Sequence, residues 1–161
     1  MGATNTPWEL DEAFRRRFEK RIYISLPDPT ARTTMFKLKV ADVEHNITEE
    51  EFVQLGNASN LYSGADIKTV SKEALYMAIR KCQNATHFKQ LPNGMWSPCS
   101  PSESGPNVKE MGMYDVPDGK LQEPPVCFDD FMMALTKCKP SVCEDDLVRY
   151  EDFTEKFGQE G

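Results

Sequence analysis

Three consecutive arginines, Arg15, Arg16 and Arg17, close a short segment that Asp11 is placed to cap, and Phe18-Glu19-Lys20-Arg21 follows them. A guanidinium is planar, permanently charged and forked, which suits it to phosphoryl oxygens. One or two such side chains reaching a neighbouring subunit's nucleotide would stabilise charge that builds up during phosphoryl transfer. The same cluster also reads as a solvated cationic helix end, favourable against the helix dipole. Ahead of it stands Asn5, in Gly2-Ala3-Thr4-Asn5. Its amide can donate to a phosphate oxygen and accept from water at once, although asparagine before a Thr-Pro pair is also an ordinary turn residue. Farther along, Ser63-Gly64-Ala65-Asp66 combines two small residues, open to close approach, with a reciprocal Ser/Asp helix cap.

The elements that must position these residues follow from local pattern. Residues 2–26 read as loop, short helix and strand, the strand being Arg21-Ile22-Tyr23-Ile24, ended by Pro27 and Pro29. Asp28 and Pro29 open a helix expected to run to about Val40, with Met35, Phe36, Leu38 and Val40 as its apolar residues. Thr48 with Glu51 forms a second capping box ahead of Phe52, Val53 and Leu55. After Ser63, the residues Ile67, Val70, Ala74, Leu75, Ala78, Ile79 and Cys82 recur at three- and four-residue steps and predict the longest helix. From about 84 to 125 the texture turns proline- and glycine-rich, with short strand-like runs at 86–91 and 108–114. Helical pattern resumes at Phe128 and stops at Pro140, and Ser141 to Glu144 predicts a capping box for a last, acidic helix carrying Phe153 and Phe157 and ending at Gly158.

Bulk composition narrows the function classes. The 161 residues are 39% hydrophobic and 28% charged, within the range of a soluble folded protein. Residues 1–40 hold eight Lys/Arg against five Asp/Glu, so the net charge of -7 divides into +3 there and -10 beyond. An acidic protein with one short basic cluster is a poor binder of nucleic acid, because phosphate neutralisation requires many cations. The five cysteines show no C-x-x-C spacing and follow no signal peptide, so reduced thiols in a cytoplasmic setting are expected. With only His45 and His87, far apart, no zinc site is expected. No run approaches the roughly 18 apolar residues of a membrane span.

Gly2-Ala3-Thr4-Asn5, the stretch Leu10-Asp11-x-Ala13-x-Arg15-Arg16-Arg17-Phe18-Glu19, and Arg21-Ile22-Tyr23-Ile24-x-Leu26-Pro27 together resemble the second region of homology of the AAA ATPases. The form without Pro-Gly between the arginines resembles the branch of katanin, spastin and the vacuolar protein sorting-associated ATPases. Tyr62 to Ile67, Ile79-Arg80-Lys81, Ala85 to Lys89, Pro98-Cys99-Ser100-Pro101 and Phe157-Gly158-Gln159-Glu160-Gly161 resemble the vacuolar sorting members. Leu61 departs from the pattern, which usually has glycine before that tyrosine.

The resemblance implies a mainly α fold, an AAA helical lid carrying a small antiparallel β insertion. Residues 1–26 would be a remnant of the α/β large subdomain, 27–83 the lid, 84–125 the insertion, 126–141 the last lid helix and 142–161 a C-terminal helix packed back on the large subdomain. It assigns Asn5 as the first sensor and Arg16 and Arg17, rather than Arg15, as fingers acting on ATP in the adjacent subunit. Gly64 and Ala65 would approach adenine or ribose. The parent would be an ATP hydrolase that assembles as a ring, expected to be hexameric, and disassembles ESCRT-III filaments in multivesicular body formation. It would take an activating cofactor protein on the insertion and work in the cytoplasm, peripheral to endosomal membrane.

The chain contains no G-x-x-x-x-G-K-[ST] loop. ATP and its Mg would therefore be held through residues absent here, and the sequence is expected to be part of a larger protein and inactive by itself. Two further readings are a truncated interaction module that binds the cofactor protein without catalysis, and a microtubule-severing relative.

Overall fold

The Asp28 carboxylate accepts from the Ala31 N–H at 2.7 Å, and with Pro29 at the first helical position it starts α2, Pro29–Val40, as its sequence predicts. In this computed structural model, which describes residues 1–158, α2 follows the four-residue α1, Glu12–Arg15. Thr48 and Glu51 cap α3, Glu49–Ala58, and Ser63 and Asp66 cap α4, Gly64–Asn84, each reciprocally. Then come a three-stranded sheet, α5 at Phe128–Lys137 and α6 at Glu144–Phe157.

The inward faces of α2 to α5 build one core, which includes Phe36, Val40, Leu55, Ile67, Val70, Ala74 and Phe131. Phe36 and Phe131 meet edge to face, with ring centroids 5.7 Å apart. Close approach of α2 and α3 depends on Gly56: a Cβ there would lie 2.1 Å from Thr33 Oγ1 and 2.7 Å from the Pro29 carbonyl oxygen. Buried Arg32 fastens the same crossing, donating from Nε to the Gly56 carbonyl at 2.9 Å and from Nη1 to the Pro27 carbonyl at 2.8 Å.

The sheet is antiparallel, with order β2-β1-β3: β1 is His87–Gln90, β2 Trp96–Pro98 and β3 Val108–Glu110. Phe88 faces Pro98 on one side and Lys109 on the other. Phe88, Trp96 and Val116 form a second, smaller core, backed by Met111, Met113 and Leu121. The insertion is therefore packed around its own apolar centre, leaving α4 at Ala85 and rejoining the helices where Val126 bridges His45.

Three local expectations differ from what is observed. Residues 21–24 form no strand and pair with no described strand, since a strand is held by ladder partners and none adjoins them. Trp96–Pro98 is a strand that the proline-rich texture concealed. Ser141 does not cap α6: Cys143 is its N-cap, with its N–H donating to Asp146 Oδ2 at 3.1 Å, while the Ser141 hydroxyl turns to Asp66. The Gly158 stop holds, and the predicted ending from Gln159 to Gly161 lies outside the described residues.

Candidate functional site

The three arginines at the end of α1 take three different environments. The Arg15 guanidinium lies over the Phe157 ring, 4.9 Å from its centroid, and is half-buried. Arg16, at the C-cap of α1, has a side chain 76% exposed and reaches back one turn to Glu12 at 2.5 Å. Arg17 is exposed; its backbone N–H donates to the Phe14 carbonyl at 3.1 Å, and its side chain has no hydrogen-bond or ion-pair partner among the described residues. The two arginines singled out by sequence are thus the two that face solvent.

Asn5 is exposed, and its main-chain carbonyl accepts from the Tyr150 hydroxyl at 2.6 Å. Tyr150 sits on α6 between two aromatic rings, Trp8 at 5.1 Å and Tyr23 at 5.7 Å, and Arg149 covers Trp8 at 4.3 Å. Residues 5–23 are thereby held against α6 by an aromatic and cationic stack. Nothing in the local pattern of the acidic tail signals Tyr150, because its partners lie more than 120 residues away.

Gly64 and Ala65 are exposed at the start of the 21-residue α4. A Cβ on Gly64 would meet only Met35 Cε, at 3.9 Å, so no protein atom demands glycine there. Just behind them, Asp66 Oδ2 accepts from the Ser63 N–H at 2.9 Å and hydroxyl at 2.7 Å, and from the Ser141 hydroxyl at 2.9 Å and N–H at 3.3 Å. The start of α4 and the approach to α6 therefore meet on one carboxylate. Among the described residues Asn5 and Arg15 contact α6, whereas Arg16 and Arg17 do not, and the Gly64 turn reaches Ser141, just before that helix, through Asp66.

The turn before Ser63 explains the departure at Leu61. Leu61 has φ of 67°, the left-handed region, and this reversal lets Tyr62 turn inward and donate its hydroxyl to the Cys138 carbonyl at 2.5 Å. A left-handed L-residue costs roughly 1–2 kcal/mol, which glycine avoids at an entropic penalty of about 0.5–1 kcal/mol. Leu61→Gly should therefore raise stability by about 0.5–1 kcal/mol, seen as a higher urea midpoint. A lower midpoint would mean that contacts of the Leu61 side chain hold the turn.

A second carboxylate lies deeper. Asp130 is 0% exposed and accepts from Lys81 Nζ at 2.7 Å and the Cys127 N–H at 3.0 Å, all on Oδ2; Oδ1 is buried without a partner. Burial alone would raise the pKa of Asp130, but Lys81 and Cys127 outweigh it and hold the carboxyl below the usual aspartate range. For Asp66 burial also raises, and the bonds from Ser63 and Ser141 again prevail. Below the ordinary aspartate pKa of about 4 the unfolded chain takes up protons that these folded carboxylates refuse. Their stabilisation is complete above that value and is lost as pH falls through the lower folded values. The urea midpoint should drop as pH falls below the ordinary aspartate pKa of about 4, and less steeply in Asp66→Asn; parallel profiles would exclude Asp66 as a source.

No group of three His, Cys, Asp or Glu side chains among the described residues is placed to hold a metal ion. No helix among them is long and apolar enough to cross a membrane.

A crystal structure of the FIGL-1 AAA domain in complex with ADP is similar over 99% of this chain and 44% of that one, at TM-score 0.71 and 30% identity. The fold, lid helices with a small inserted sheet, is thus a portion of the AAA module. Residues 96–158 match the family model of the Vps4 C terminal oligomerisation domain. A chain in a crystal structure of Vps4 and Vta1 is 38% identical, covering 70% of this chain and 99% of that one at TM-score 0.56. Vacuolar protein sorting-associated protein 4B of Pongo abelii is 48% identical over all of this chain, which spans 38% of that relative's length. The chain belongs to the Vps4 family.

Proposed function

We propose that this chain is the lid and finger portion of an ATP-hydrolysing ring that disassembles ESCRT-III filaments during multivesicular body formation. One observation carries the reading: of the clustered arginines, Arg15 and Arg21 are engaged by the end of α6, while Arg16, paired only to exposed Glu12, and Arg17 face outward from the surface. They would act in trans, stabilising charge on ATP bound by the adjacent subunit. Asn5 would orient the attacking water as first sensor, and the bare start of α4 at Gly64 and Ala65 would lie beside the adenine or ribose.

Residues 1–26 would then complete the large subdomain, 27–83 and 126–141 the lid, and 142–161 the helix joining them. The insertion at 84–125, with its own core, would take an activating protein of the Vta1 kind, and the ring, of six subunits, would assemble through the oligomerisation segment. ATP and Mg would be held mainly by residues outside this chain, which lacks the phosphate-binding loop. The site of action would be cytoplasmic, peripheral to endosomal membrane.

The purified 161-residue chain should give no ATP turnover above buffer, whereas the complete ATPase should turn over faster as rings form. Turnover by the isolated chain that disappears in Arg16→Ala would overturn this assignment of roles.

A further inference from the structure

A helix of four residues has no stability of its own, yet α1 must present two long side chains in a fixed direction. Asp11 caps it, accepting from the Phe14 N–H at 2.7 Å, and the Phe14 and Phe18 rings lie 5.8 Å apart. These contacts are all local. Among the described residues the distant anchoring runs to the end of α6, and its hydrogen bonds come from Arg21, whose guanidinium spans two carbonyls: Nη1 donates to Phe157 at 2.8 Å and Nη2 to Arg15 at 3.4 Å. Arg15 in turn covers the Phe157 ring.

Phe157 is the last residue of α6, so its carbonyl is among those a helix leaves without an intrahelical partner, and a cation there is favoured by the helix dipole. A Cβ at Gly158 would fall 2.4 Å from the Thr154 carbonyl oxygen, so glycine lets the chain leave the helix at that point. A planar fork bonds both carbonyls in a way that a single ammonium does not.

We infer that the end of α6 is a clamp on the finger loop, and that Arg21 and Phe157 are positioning residues that aim Arg16 and Arg17. This rests on the finger reading above. The clamp engages only the two arginines that are not fingers, and leaves Arg16 paired to Glu12 on an exposed surface where the nucleotide of a neighbour can displace that carboxylate.

The test uses the complete ring-forming ATPase with Arg21→Gln, Arg21→Lys and Phe157→Leu, measuring kcat, ATP affinity and ring mass, with Arg16→Ala and Arg17→Ala beside them. Loss of aim should lower kcat by roughly tenfold in Arg21→Gln with affinity and ring mass unchanged. Arg21→Lys, which keeps one bond, and Phe157→Leu, which keeps the carbonyl, should fall between Arg21→Gln and the unaltered protein. Placed on subunits that bind but cannot hydrolyse ATP, Arg21→Gln should slow their unaltered neighbours more than the same subunits retaining Arg21. A merely structural role would not produce that difference in trans. Unchanged kcat in Arg21→Gln, an effect confined to its own subunit, or rings that fall apart would each overturn the clamp while Arg16→Ala remains defective. If Arg16→Ala and Arg17→Ala also turn over normally, the finger reading fails and the clamp falls with it.

Discussion

Arg16→Ala or Arg17→Ala in the complete ATPase should reduce ATP turnover by about 10³-fold or more while ATP affinity stays within a fewfold of the unaltered protein. The size follows from the chemistry: charge accumulates on the transferring phosphoryl group, and a guanidinium brought to it in a water-poor subunit junction acts most strongly at the transition state. Binding should survive because, on the finger reading, the ATP reached by these arginines would be held chiefly by the neighbouring subunit. Folding survives as well. The Arg16 side chain is 76% exposed, and its pair with Glu12 is of the i,i+4 kind worth only about 0.3–0.5 kcal/mol. Turnover by malachite green or a coupled assay, together with nucleotide titration and the thermal midpoint, checks all three statements. Near-normal turnover in both variants would exclude these residues as fingers.

The largest effect on stability should come from Phe131→Ala. Phe131 is fully buried at the centre of the α2 to α5 core and meets Phe36 edge to face. Removing the ring forfeits its transfer from water and leaves a cavity that four packed helices cannot close, a loss of about 3–5 kcal/mol. Against the 5–15 kcal/mol typical of a whole domain, that is enough to unfold the lid at moderate temperature. The insertion has a separate apolar centre around Trp96, so in a Trp8→Phe background the emission of Trp96 should change at higher urea than helical circular dichroism. Coincident transitions would mean that the two cores fold as one unit.

What the sequence made legible is what short-range chemistry decides. The boxes at Thr48 and Ser63, and Asp28 before Pro29, each link groups three residues apart, and the helices start where these residues say. Ser141 offered an equally good local pattern, but a carboxylate 75 residues away claimed its hydroxyl. The segment at 21–24 carries β-forming residues, yet strand formation depends on partners that sequence pattern cannot supply. The family motif singled out Arg16 and Arg17, and both are exposed. The clamp through Arg21, the Tyr150 bond to Asn5 and the Lys81–Asp130 pair were not, since each joins positions 49 to 145 residues apart. At Leu61 the pattern marked a departure without its cause, which is a backbone angle.

The unpaired stretch at 21–24 also bears on handling. Ile22 is 72% exposed and Ile24 87%, with Tyr23 partly open between them, on backbone that no described strand pairs. Such a segment is a template for identical segments of other molecules. Solutions of the chain by itself should therefore turn cloudy or form soluble aggregates as concentration rises, and a charge introduced by Ile24→Lys should keep them clear. Light scattering against concentration is thus a practical first measurement on any purified preparation.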